Sequence, residues 1–546
     1  MRLGIDFGTT RVVVAFVDRG NYPVVVFDSP DGTVREWFPP LVAVQGEQRV
    51  YGWEAWAKQE ETDWTIVRSL KRMLDAAGPE TRVQVAGQVV PMQQLLREMV
   101  ETLRLDLLEH SNLPMGKPEP LEVMLGVPAN ANSNQRFLTT QAFQEGGFHV
   151  LGLLNEPSAA SIEFGHRDRA SRRAKEKVRI LVYDMGGGTF DASLVELDGG
   201  MHSVIASEGI STLGGDDFDG LLADLALDEA GVTAAERDSL SQAELFRLHE
   251  ECRHKKESLH PNTRHIVIDL GMLRPGWKPC SLRAADFYER CRPLVEETLH
   301  ATEDLLAQHG YGTLVPAADG TTPAGPEAER RLEALYVTGG GSDLPLVSRM
   351  LREVFGRRVR RSSYTRSATA IGLAIQSDAQ SGYRLREKFT RHFGVWREAE
   401  GGRTVVFDPL FPKGSVLPEP DAPPLVSSRR YYPAHNIGHF RYLECSHLAD
   451  NERPEGDITF WDDIRFPFDP SLRSNEAVNH APVVYVGPGS LHEVEESYSC
   501  DSSGVVKVTI SSLGDGYSRQ YRLGRWAPSD TLIVPGRKKK RTSEKY

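Results

Sequence analysis

Cysteine is scarce. The 546-residue chain holds five, Cys252, Cys280, Cys291, Cys445 and Cys500, with no CxxC pair and no Cys/His cluster. This scatter excludes the usual structural zinc ligand sets and a disulfide framework, and it fits a reducing compartment. Long apolar runs are missing too, none approaching the roughly 20 residues that span a bilayer. The opening Met1-Arg-Leu-Gly-Ile-Asp6 has no apolar signal core, so the expectation is a cytoplasmic chain without a membrane partner. Nor is there an excess of positive charge. With 64 Lys and Arg against 76 Asp and Glu, the net charge is −12, which argues against a general nucleic-acid surface. The dense basic run Arg537-Lys-Lys-Lys-Arg541 reads as a solvated, disordered tail.

What the chain does have is soluble globular composition, 40% apolar and 26% charged, and too much length for one core. It also repeats a pattern. Leu3-Gly-Ile-Asp-Phe-Gly-Thr-Thr10 and Leu181-Val-Tyr-Asp-Met-Gly-Gly-Gly-Thr189 each read as a short apolar strand ending in an aspartate. In each, a glycine follows two positions later, then a turn and a second strand-like run. Such recurrence predicts two related lobes.

Between these segments the periodicity predicts a helix over 93–110, a buried strand over 122–127 and a helix over 134–145. Beyond the second, helices are expected over 217–229, 243–259 and 284–309, with a strand at 265–270. A strand and glycine turn over 335–341 then lead into a helix from Leu344. Alternating elements of this kind imply an α/β architecture. Two stretches read as exposed: the connection 167–179, with seven basic residues against two acidic, and the Pro/Gly-rich insertion 315–326. Near Ser381 the composition changes. Residues 382–402 read as a charged, partly helical bridge. From 403 to 525, proline-rich turns alternate with aromatic and β-branched runs, which predicts a β domain.

A phosphate needs clustered backbone N–H donors, and glycine allows the close approach that side chains block. Gly8-Thr9-Thr10 and Gly186-Gly187-Gly188-Thr189 each supply such a turn. Asp6 and Asp184, at the strand ends beside them, are placed to hold Mg²⁺ directly or through its waters. A third turn, Val337-Thr-Gly-Gly-Gly-Ser342, follows a strand and precedes a helix, where backbone can pack against a nucleoside or phosphate.

These motifs resemble those of the seventy-kilodalton heat-shock chaperones, within the actin-like ATPase superfamily. The further segments that carry the resemblance are Leu154-Asn-Glu-Pro-Ser-Ala-Ala160, Thr212-Leu-Gly-Gly-Asp-Asp-Phe-Asp219, Val337 to Pro345 and Ala368 to Ala374. The resemblance implies a two-lobed, actin-like (ribonuclease-H-like) ATPase domain over 1–380. A linker over 381–402, an all-β sandwich similar to the family's peptide-binding domain over 403–525 and a tail over 526–546 follow. It implies ATP or ADP with Mg²⁺ as ligands. Lys71, Glu156, Asp184 and Thr189 take the catalytic positions, with Asp6 and Asp184 toward the metal. Gly8, Thr9, Thr10, Gly186, Gly187, Gly188, Gly214 and Gly215 fall at the phosphates. Lys256, Gly339, Gly340, Gly341, Ser342 and Asp343 fall at the adenosine. The implied partners are unfolded polypeptides, a J-domain protein and a nucleotide-exchange factor.

The sequence also departs from that pattern. Asp343 stands where the family stacks an arginine on adenine, and Arg253, Glu257 and His260 replace its glutamate, arginine and serine. No acidic, leucine-rich linker is visible between Ser377 and Arg403, and the residues after Trp526 are too few for a helical lid. The leading expectation is a slowly ATP-hydrolysing chaperone whose nucleotide state sets polypeptide binding by a lidless β domain. The alternative is a nucleotide-dependent module for one dedicated protein with little hydrolysis. A small-molecule kinase, sharing the lobed architecture, is a distant third.

Overall fold

The computed structural model describes residues 1–61, 63–78, 81–114, 119–168, 177–311, 332–399, 404–419, 422–502, 504–522 and 531–533. Two sheets carry the repeated segments. The first runs in the order His149–Asn155, Glu122–Val127, Arg2–Phe7, Val12–Phe16, with three parallel strands and the last antiparallel. The second runs Val359–Arg361, Leu332–Thr338, Val178–Met185, Phe190–Asp198, Met201–Ile210, Arg384–Arg386. In both, the hairpin closes on the same register. Phe7 pairs with Val12 and Met185 with Phe190, each across a four-residue loop. The sequence repeat is therefore a repeat of structure, one hairpin in each lobe.

The expected helices and strands form within a few residues of their predicted ends. Met92–Glu109 buries Met92, Leu95, Leu96, Met99, Val100, Leu103 and Leu107, a three-and-four spacing that turns one stripe to the first core. Asn132 caps Ser133–Glu145, its side chain and that of Gln135 each accepting the other's backbone N–H at 2.9 Å. Helices Glu156–Asp168 and Ala368–Ser377 cross in backbone contact. A Cβ at Gly372 would stand 1.8 Å from the Ala159 carbonyl oxygen, so only glycine permits this crossing.

The strand-rich C-terminal region forms two four-stranded antiparallel sheets. One runs Thr404–Phe411, His392–Ala399, Ile437–Leu448, Pro454–Pro467; the other Leu425–Tyr431, Val494–Cys500, Val506–Ser512, Ser518–Arg522. Phe393, Tyr442, Trp461, Phe466, Tyr498 and Val508 share the core between them.

Two expectations are corrected. None of the described residues of the bridge 382–402 is helical: Arg384–Arg386 pairs in parallel with Met201–Ser203 of the second lobe, and His392–Ala399 enters the C-terminal sheet. Arg384 and Arg386 point outward while Leu385 packs inward, a period of two that belongs to a strand. The tail from 526 is not wholly without structure either. Thr531–Ile533 adds in parallel to Arg82–Gln84, two of its three residues being β-branched and suited to a free sheet edge. The insertion 315–326, most of the connection 167–179 and the basic run 537–541 lie outside the described residues. Among the described residues no helix is long and apolar enough to cross a membrane.

Candidate functional site

The two hairpin loops face each other across a cleft between the lobes. A Cβ on Gly187 would lie 2.7 Å from Thr10 Cγ2, and one on Gly188 2.6 Å from Thr9 Oγ1, so side chains there would push the loops apart. Gly186 N–H donates to the Thr189 carbonyl at 2.9 Å, closing the second loop. The amides of Gly215 and Asp216, opening helix Gly215–Glu229, donate back to Gly186 and Gly187 at 3.0 and 2.7 Å. Among the described residues the amides of Thr9, Thr10, Gly187 and Gly188 make no backbone hydrogen bond. They are free donors, concentrated where the loops meet.

Beneath the loops lies a group of acids around one cation. Lys71, in the short helix Leu70–Met73, and Glu156, the first residue of its helix, form a buried ion pair. Glu156 thus sits where a helix dipole favours an acid, and it also faces the cleft. Asp6 and Asp184 end their strands beside this pair, and Asp191 is the direct cross-strand partner of Asp184. Burial pushes the Asp6 and Asp191 carboxyls up to about 7; Glu156 pushes the same way and Lys71 opposes it. Asp184 is raised well above the usual range by burial and by Glu156, Asp6 and Asp191. Lys71 is raised: burial opposes its charge, but Glu156 and Asp6 outweigh that cost. The acids outnumber the cation, so the ionised cluster carries uncompensated negative charge.

That imbalance fits a divalent cation, and the free amides above it fit phosphate. Among the described residues no three His, Cys, Asp or Glu side chains converge into a self-sufficient metal cage.

The third glycine turn closes the cleft from the side. Gly339 has φ +81°, and a Cβ there would stand 2.3 Å from the Met185 carbonyl oxygen and 2.4 Å from Asp184 Oδ1. The far end is built from charge. Glu257 takes Arg11 Nη2 at 2.6 Å and Arg366 Nη1 at 3.1 Å. Arg366 Nε reaches Asp343 at 2.9 Å, and Asp343 also binds Arg361. Arg11 continues outward over the Trp37 ring at 5.1 Å. Lys256 is held by Asp219 at 2.7 Å and donates to the Gly215 carbonyl at 2.6 Å.

All the expected phosphate and catalytic residues line this cleft except Gly188 and Gly214, which pack against Thr9 and Arg72 and against Gly187. Lys256, Gly339, Gly340 and Gly341 also line it. Ser342 does not: fully buried, it donates its hydroxyl to the Gly339 carbonyl at 2.6 Å. Asp343 does not line it either and accepts a hydrogen bond from Arg366 Nε at 2.9 Å. Sequence reasoning missed Asp191, Arg11 and Arg366. A four-residue loop fixes Asp191 opposite Asp184, a signal readable from the hairpin register. The two arginines gave none, because their partners are distant in sequence.

The C-terminal region touches both lobes near this cleft. The Glu387 carboxylate accepts the Asn155 N–H at 2.8 Å, immediately before Glu156. Glu444 accepts the Ser133 N–H at 3.2 Å, and Lys413 meets Glu208 of the second lobe at 2.8 Å.

A family model described as Hsp70 protein matches residues 2–390. That span contains both hairpins, the acid cluster and the third glycine turn. Members of the family are ATPases and chaperones that bind ATP or ADP with Mg²⁺ and unfolded polypeptide, with J-domain and nucleotide-exchange partners. The match covers well over half the chain, which belongs to the Hsp70 family.

Proposed function

We propose that the protein is a slow ATPase and chaperone that couples the state of its nucleotide to polypeptide binding by the C-terminal sandwich. One observation carries the reading: two glycine loops with free amides close over an acid cluster pierced by a single lysine. Phosphates lie between the loops, held by the amides of Thr9, Thr10 and Gly187. Mg²⁺ beside Asp6 and Asp184 supplies neutralisation of phosphate charge. Glu156 accepts a hydrogen bond from the attacking water, and Lys71, donating to Glu156, holds that carboxylate in place. The Thr189 hydroxyl donates toward the transferring group. Such positioning carries phosphoryl transfer without a covalent intermediate.

Coupling follows from contacts that span the lobes. Glu387 and Glu444 hold the first lobe and Lys413 the second, so a change in lobe angle cannot leave all three intact. A J-domain protein and an exchange factor complete the cycle, and the work is cytoplasmic. The test is the affinity of fluorescent unfolded peptides in ATP and in ADP, read by anisotropy. Affinities that differ at least fivefold support the reading. Peptides that bind in neither state favour the alternative, a nucleotide-dependent module for one dedicated protein.

A further inference from the structure

A second cavity, of about 310 Å³, opens on the second lobe and shares no residue with the cleft between the hairpin loops. Its base is a break in the sheet. Leu194 pairs with Ala206 and Val195 with Val204, so Ile205 is an extra residue without a cross-strand partner, a β-bulge. Leu194 and Ile205 give the cavity its apolar base, and Lys388, also in the lining, donates to the Ile205 carbonyl at 3.2 Å. Arg179, Glu196 and Ser203 stand directly opposite one another on three adjacent strands, and so share one face. Arg179 Nε binds Glu196 at 3.0 Å, and Arg179 Nη1 donates to the Tyr311 hydroxyl at 3.3 Å. The other Glu196 oxygen meets Lys177 at 3.7 Å, so the one acid in the lining is engaged on both sides. Among the described residues, Arg179 Nη2, the Ser203 hydroxyl and the remaining Lys388 ammonium protons have no partner.

The helix end at this cavity does not cancel that positive character. His309, in the lining, caps helix Ala284–Gln308, whose C-terminus carries partial negative charge. Its last carbonyls are already answered. Leu305 takes His309 Nδ1–H at 2.9 Å, Leu306 takes the amides of His309 and Tyr311, and Ala307 takes that of Gly310. An aliphatic base with a few unengaged polar groups above it is the make-up of a small-molecule site, and the volume lies at the lower end of the range for one.

We propose that this cavity binds a small organic anion, its carboxylate held by Arg179, Lys388 and Ser203 and its short apolar body lying on Leu194 and Ile205. Lys388 belongs to the connection between Arg384–Arg386, on the second lobe, and His392–Ala399, in the C-terminal sheet. An occupant held by Arg179 and Lys388 therefore bridges lobe and connection. The site needs neither nucleotide nor peptide, so it stands or falls apart from the function proposed above.

The experiment is calorimetric titration of the full chain, without nucleotide, using hexanoate, hexylammonium of the same chain length and inorganic phosphate. Hexanoate should bind and hexylammonium should not. Arg179→Met and Lys388→Met should each weaken hexanoate about tenfold, the scale of one charge-assisted hydrogen bond. Lys388→Arg, which keeps the charge, should retain most of the affinity. Thermal melts check that each variant is folded, and hexanoate should raise the melting temperature of the wild type and Lys388→Arg more than that of either Met variant. Hexanoate that does not bind the wild type, or binds it no better than hexylammonium does, overturns the proposal whatever the variants do. Folded Met variants that both bind hexanoate as tightly as the wild type also overturn it. So does phosphate bound more tightly than hexanoate, because the apolar base then contributes nothing.

Discussion

Asp184 and Asp191 stand directly opposite each other on the second hairpin, two carboxylates on adjacent strands with Glu156 and Asp6 close by. Like charges at paired positions destabilise a sheet unless they are protonated or share a cation. The arrangement is a built-in demand for positive charge, met in part by Lys71.

The first prediction is a pH dependence. Asp6 and Asp191 are raised from 3.8 to about 7, so between those values the folded chain holds more protons than the unfolded chain. These groups therefore lower the stability of the unliganded protein as pH rises through that window. On the proposed reading Mg²⁺–nucleotide takes the ionised form of this cluster, so its affinity should rise between pH 6 and 8 with proton release. Titrations in two buffers of different ionisation enthalpy measure both. Affinity that falls over this range contradicts the reading.

Asp191→Asn keeps an oxygen to accept the Ala129 N–H, now 2.9 Å from Asp191 Oδ1, and removes one of the opposed charges. The unliganded variant should gain about 1 kcal/mol at pH 8, the scale of a cross-strand charge pair. The gain should shrink toward pH 5. Urea unfolding at both pH values decides it.

Removing Lys71 alone leaves Glu156 buried among carboxylates. Lys71→Met should cost about 3 kcal/mol, the usual scale for orphaning one half of a buried pair. Lys71→Met with Glu156→Gln should recover most of that stability but no turnover. A double variant as unstable as the single one would mean the pair does not interact as described.

The crossing at Gly372 gives a test of the scaffold. Gly372→Ala drives a Cβ into the Ala159 carbonyl and should cost more than about 3 kcal/mol, the upper range of overpacking. Gly20→Ala, at φ +82° with open space around it, carries only local backbone strain. Thermal melts of the pair separate a packing constraint from a turn constraint.

These residues also show what a sequence can disclose. Hairpin loops and their aspartates are local features: a glycine turn two residues after an acid fixes its own geometry, and the pairing of Asp184 with Asp191 follows from loop length. Lys71 and Glu156 have no local signature, and only resemblance to the family singled them out. Arg366 is different again. Its role depends on Asp343, 23 positions earlier, and Glu257, 109 positions earlier, both brought beside it by the second lobe. A motif gives a residue's position but not its rotamer: the Ser342 hydroxyl turns back to the Gly339 carbonyl. The bridge 382–402 misled by its charge, since a strand with arginines at every second place carries as many charges as a helix.

The most direct measurement of the central claim is steady-state ATP turnover by the wild-type chain and Thr189→Ala, each with and without a library of unfolded peptides. The account predicts slow turnover that peptides stimulate, falling about 100-fold in the variant, the scale of losing one transition-state donor. Equal turnover in both proteins, or none in the wild type under any condition, would contradict it.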